Sequence, residues 1–125
     1  MPIRYLLVFL GGGVGSAGRY WLSGLVQKMT ASGFPYGTLS VNVLGSLTIG
    51  LLMTSLEERF LANPDIRIFL TIGILGGFTT FSSFSFETIA LLRDGQFLYG
   101  ALNVLASVAI CLAATYAGTV LGKLL

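Results

Sequence analysis

The chain has 125 residues, of which 54% are hydrophobic and only 10% charged, with a net charge of +2. A soluble domain carries about a quarter charged residues, so this composition, with a mean hydropathy of +0.87, places the chain in the membrane class. The small charge and the lack of a Lys/Arg run argue against nucleic acid as a partner; the absence of His removes the commonest general base and metal ligand, and the lone Cys111 cannot build a disulfide framework or thiolate site within one chain.

A helix needs about 20 apolar residues to cross the hydrocarbon core, and the pattern predicts four such spans in an all-α membrane protein of one domain. The first covers residues 5–26 and is interrupted by Arg19. Its start resembles a short signal peptide, but the apolar pattern continues through Trp21 and Leu25 without a small-x-small cleavage site, so a retained helix is expected. The second covers 37–56 without a charge, the third 68–92 with Glu87 near its end, and the fourth 97–122 without a charge. The connections are short and carry Gly33 and Pro35, Asn63 and Pro64, and Asp94-Gly95.

Four spans put both termini on one side of the membrane. That side holds Arg4, Arg59, Arg67 and Lys123; the other holds Lys28 and Arg93. So weak a positive bias, blurred further by Arg19, predicts insertion in both orientations and pairing as an antiparallel dimer. The 17 glycines, and the GxxxG spacings Gly11–Gly15 and Gly118–Gly122, predict close helix crossings. One copy is too small to enclose a pore, so self-association is expected.

Polar residues recur inside the spans. In the second, Thr38, Asn42 and Gly45 or Ser46 share a face. The Asn42 amide is either interhelical glue, worth about 0.6–2 kcal/mol, or a donor to a passing ion. In the fourth, Asn103, Ser107 and Cys111 recur every four residues, extended by Thr115 and Gly118; this is either a packing stripe or a path. Arg19 either snorkels to the interface or guards a vestibule that draws anions. Glu87 pairs either with Arg19 or with another helix.

The third span is the most specific. Residues 73–87 read GILGGFTTFSSFSFE, with hydroxyls at Thr79, Thr80, Ser82, Ser83 and Ser85 in the middle of an apolar segment. Unpaired polar groups are costly in lipid, so these should be buried in protein or line a wet path. Gly76, Gly77 and the Thr79-Thr80 pair should break the helix. A broken helix frees carbonyl oxygens for a hard cation such as Na⁺. Phe81 and Phe84 lie three apart on one face; they either pack or turn their electropositive edges to an anion.

These motifs resemble one family. The glycine-rich run Gly11 to Tyr20 ending in Arg-Tyr, GTLxxNxxGS at Gly37 to Ser46, and GxxGGxTTFSSFSxE at Gly73 to Glu87 are similar to those of the small bacterial fluoride channels, the Fluc or CrcB family. The resemblance spans almost the whole chain. It implies an antiparallel dual-topology homodimer in the bacterial inner membrane, with two passive fluoride pores and a broken third helix. It implies Asn42, Phe81, Phe84, Ser107, Asn103 and Ser83 along the fluoride path; Thr38, on the face of Asn42, is expected to join them, and Arg19 remains the candidate for a vestibule. The resemblance also implies a structural Na⁺ held by the backbone carbonyls of Gly77 and Thr80. Asn103 stands where other members can carry Tyr, and Cys111 where they can carry Ser, a better donor than a thiol.

Two other classes compete. A proton-coupled small multidrug exporter shares the size and topology but needs a carboxylate in its first helix, where this chain has Arg19. A non-transporting membrane subunit would use every polar group as glue. An enzyme is not expected, because GxSxG, HExxH and clustered carboxylates are all missing.

Overall fold

Long apolar runs broken by short Gly/Pro connections give long helices, because only helices satisfy the backbone within one segment in lipid. The computed structural model describes residues 2–58 and 63–125; Arg59, counted above among the basic residues of one side, lies outside them. All regular structure among the described residues is helical. Helix α1 is Pro2–Thr30 and α2 is Tyr36–Glu58. The third segment begins with α3, Pro64–Ile68, continues as a π-helical stretch, Phe69–Leu75, and ends with α4, Gly76–Phe78. Helix α5 is Phe81–Arg93 and α6 is Phe97–Leu124. Among the described residues, three stretches are long and apolar enough to cross a membrane: Tyr36–Glu57, Pro64–Arg93 and Phe97–Leu124. The 29-residue α1 is long enough, about 44 Å, but its glycines and Arg19 dilute its hydropathy.

The starts and stops follow local chemistry. Asn63 caps α3 by accepting from the Asp65 N–H at 2.8 Å, and Pro64 sits at the first helical position. Gly95, at φ +80°, makes the turn between α5 and α6 that the Asp94-Gly95 pair predicts. The π-helical stretch has no signal in the sequence; it coincides with the crossing of Gly73 over Gly11.

The interior is unusual for its size. Its buried apolar side chains are Phe34, Val41, Leu75, Phe84 and Leu91, joined by the buried polar side chains of Thr54, Thr88, Asn103 and Ser107. Large apolar residues such as Tyr20, Trp21, Leu105 and Tyr116 face outward instead, as lipid-facing surfaces require.

Glycine sets the helix spacing. A Cβ on Gly11 would sit 2.9 Å from the Phe69 carbonyl oxygen, and one on Gly15 would collide with the Ile74 carbonyl. Gly77 approaches the Gly12 carbonyl in the same way. On the other side, Gly118 presses on the Leu47 carbonyl, and Gly122 on Leu51 and Thr54. Both GxxxG seams are therefore used within one chain: the first seats α1 on the third segment, the second seats α6 on α2.

The two ends differ. At one, Arg4 pairs with Asp65 at 3.0 Å and Arg67 with Glu57 at 3.6 Å. At the other, the Gln27 amide donates to the Ser32 and Phe34 carbonyls and accepts from the Gly37 N–H, which closes the turn between α1 and α2. Phe34 packs edge-on against Tyr99 there, at 5.5 Å between ring centres.

Candidate functional site

The centre of the site is an interruption in the helix. Thr79 and Thr80 are extended, at φ −96°, ψ 158° and φ −152°, ψ 121°. Gly76 and Gly77 weaken the helix before this point, and the threonine hydroxyls supply competing bonds after it. Thr79 donates its hydroxyl to the Leu75 carbonyl at 3.0 Å, closing α4. Thr80 starts α5: its hydroxyl accepts from the Ser83 N–H at 3.1 Å.

Asn42 holds this extended pair from α2. Its Nδ2 donates to the Thr80 carbonyl at 2.9 Å, and its Oδ1 accepts from the Thr80 N–H at 2.8 Å. A single amide thus satisfies both backbone groups of one residue. One of its N–H protons remains for another acceptor.

A groove of about 480 Å³ opens beside the interruption, bordered by Asn42, Thr80, Phe81, Phe84, Ser107 and Cys111 among others. Its wall is mainly apolar, and its few polar groups come from α2, from the third segment with its Thr79–Thr80 interruption, and from α6. The positive end of the α5 dipole also lies here, which favours negative charge. The Phe81 and Phe84 rings are 5.2 Å apart and tilted by 51°. Phe84 is only 9% exposed, whereas Phe81 is 76% exposed.

Asn103 lies behind the groove. It is 2% exposed and donates to the Thr88 hydroxyl at 2.9 Å. Thr88 in turn donates to the Phe84 carbonyl at 2.8 Å, and Ser107 donates to Asn103 Oδ1 over a long 3.5 Å. The sequence stripe therefore divides: Ser107 and Cys111 face the groove, while Asn103 braces the helix that carries Phe84. Thr88 went unnoticed in the sequence, although it lies four residues after Phe84 and so shares its face.

The remaining site residues fall elsewhere. Thr38 donates to Glu87 Oε2 at 2.9 Å, beside a second cavity of about 290 Å³ bordered by Gln27, Glu87 and Asp94. Ser83 serves through its backbone N–H at the α5 cap. Arg19 Nε donates to the Gly77 carbonyl at 3.0 Å. Arg19 and Glu87 thus have separate partners.

No group of three or more His, Cys, Asp or Glu residues gathers among the described residues. The oxygens at the interruption are neutral ones, of backbone carbonyls, hydroxyls and the Asn42 amide. The Gly77 and Thr80 carbonyls each accept one hydrogen bond and keep a second lone pair.

The family profile described as CrcB-like protein, Camphor Resistance (CrcB), matches residues 6–119. A protein of Geobacter sulfurreducens named "Fluoride-specific ion channel FluC" is 51% identical over 113 residues, covering 90% of this chain and 91% of the relative. Proteins of the same name from Ruminiclostridium cellulolyticum and Solibacter usitatus are 49% and 47% identical. They cover 98% and 97% of this chain, and 92% and 99% of their own lengths.

Proposed function

We propose, from the premise that this chain belongs to the CrcB-like family, that it is a passive channel selective for fluoride. It is a multi-pass membrane protein by its helices and its family; we place it in the inner membrane of a bacterium. The observation that carries the reading is the groove where the Asn42 amide, the Ser107 hydroxyl and the two phenylalanine rings meet at the interrupted helix. Fluoride is small and tightly hydrated, so it needs several close donors when it sheds water. Neutral donors and ring edges attract it without the tight hold of a Lys or Arg side chain. An inside-negative potential drives the anion outward by about 2.3 kcal/mol per 100 mV.

The groove is open on one side of a single chain, and exposed Phe81 borders it. The reading is therefore an antiparallel homodimer with two pores, in which the third helices are the broken pair and meet at the centre. The Gly77 and Thr80 carbonyls suit a structural Na⁺ because they are hard oxygens with a free lone pair. Two oxygens are few for a cation, so the second copy supplies a matching pair. When bound, the ion neutralises the carbonyl-rich ends gathered there.

The test is fluoride efflux from liposomes holding the purified protein, with valinomycin clamping the potential and chloride measured in parallel. Rapid fluoride efflux with negligible chloride is the expected result. Verified dimers that release neither ion would refute the channel.

A further inference from the structure

Gly11, Gly15 and Arg19 lie four residues apart and form one stripe of α1. The two glycines bring α1 against the Phe69 and Ile74 carbonyls. One turn later the same stripe delivers Arg19, whose Nε donates to the Gly77 carbonyl at 3.0 Å. Gly77 stands in the last turn before the interruption, so its carbonyl has no helical N–H partner and lies at the negative end of a helix dipole. Arg19 takes no part in either ion pair found among the described residues. Its only polar partner among them is that carbonyl.

We propose that Arg19 is a resident cation of the helix end before the interruption, and that it weakens Na⁺ binding at the Gly77 and Thr80 carbonyls. This rests on the sodium reading above. The guanidinium occupies one lone pair of the Gly77 oxygen and repels a second cation on the other. Arg19 is thus a positioning residue with two effects. It supports the interrupted segment when Na⁺ is scarce, and it raises the Na⁺ concentration needed to fill the site.

The test measures thermal unfolding and dimer fraction of the purified protein in detergent. Na⁺ is titrated against N-methylglucamine at constant ionic strength. In R19Q the half-saturating Na⁺ should fall by about tenfold or more once the charge is gone. Without Na⁺, R19Q should be less stable than wild type, and saturating Na⁺ should close most of that gap; a merely structural contact would lower stability equally at every Na⁺ concentration. R19M, with neither donor nor charge, should follow R19Q. R4Q, which removes a charge from the Arg4–Asp65 pair, should leave the Na⁺ midpoint unchanged. A Na⁺ midpoint in R19Q equal to or above that of wild type overturns the inference alone. Indifference to Na⁺ in wild type and both Arg19 variants overturns the sodium reading with it. Failure of R19Q and R19M to dimerise at any Na⁺ concentration also overturns it, because Na⁺ could not then take over from the guanidinium.

Discussion

Replacing Asn42 tests whether one amide both holds the interruption and serves the anion. Asn42→Ala removes the 2.9 Å bond to the Thr80 carbonyl and the 2.8 Å bond from its N–H. Interhelical bonds in membrane bundles average about 0.6 kcal/mol and reach about 1.7, so the pair should contribute about 1–3 kcal/mol. The groove lets water reach Thr80 in part, which favours the middle of that range. Asn42→Asp tests the second role more directly. Its carboxylate still accepts from the Thr80 N–H, but its other oxygen faces the Thr80 carbonyl and cannot donate, so stability should fall as well, and it places a full charge in the groove. At an effective dielectric of about 20, a charge about 5 Å from the anion costs about 3 kcal/mol. Flux should then drop by about 100-fold. The assays are reversible unfolding in mixed micelles and fluoride efflux from liposomes. The reasoning fails if Asn42→Ala changes stability by less than about 0.5 kcal/mol, the scatter of neutral surface substitutions, or if Asn42→Asp conducts as fast as wild type.

Phe81→Ile and Phe84→Ile should each slow fluoride efflux by about tenfold or more, equivalent to ~1.4 kcal/mol of barrier, with dimers still forming by cross-linking. Unchanged flux in both would show that the rings only pack. Gly15→Leu forces a side chain into the Ile74 carbonyl and should destabilise by about 1–3 kcal/mol or more, read as loss of monodisperse protein on size exclusion. Thr88→Val cuts the bonds to Asn103 and to the Phe84 carbonyl and should lower stability by about 1–2 kcal/mol in mixed-micelle unfolding. Ser107→Ala should do the reverse, slowing flux with little loss of stability, because its only bond to protein among the described residues is 3.5 Å long.

The parts of the fold set by composition were legible in the sequence. Apolar runs between Gly/Pro connections located the long helices, and Asp94-Gly95 located a turn. Periodicity assigned residues to faces but not to partners. It put Asn42 inward, yet could not say that both ends of the amide bind one residue, because that needs the extended backbone of Thr80 opposite. It treated Asn103 and Ser107 as one stripe, although α5 separates their roles by presenting Thr88 to one and open space to the other. Thr88 escaped notice because an isolated helical Thr ordinarily satisfies itself on its own backbone. The sequence left Arg19 and Glu87 as a candidate pair. The glycine seam of α1 instead carries Arg19 to Gly77, while Thr38 takes Glu87. The π-helical stretch had no signal because it follows from a crossing between distant glycines.

The hydrogen-bond pattern divides the polar groups by how firmly they are held. Thr88, Asn103 and Thr79 donate at 2.8–3.0 Å. Such groups fix the helices and have little to offer an ion without breaking a bond. Ser107 is held only by a long contact, and Asn42 has one proton to spare. These two face the groove together with the rings. On the proposed reading, a site whose firm bonds fix the wall and whose spare donors face the groove meets both demands of conduction. The wall keeps its shape when an anion arrives, and the anion meets donors that gain a partner without abandoning a strong one. The same division explains why one helix interruption needs both an amide and a guanidinium: Asn42 satisfies Thr80 after the gap and Arg19 satisfies Gly77 before it. Two backbone ends that would be costly in lipid thereby stay in place without a continuous helix between them.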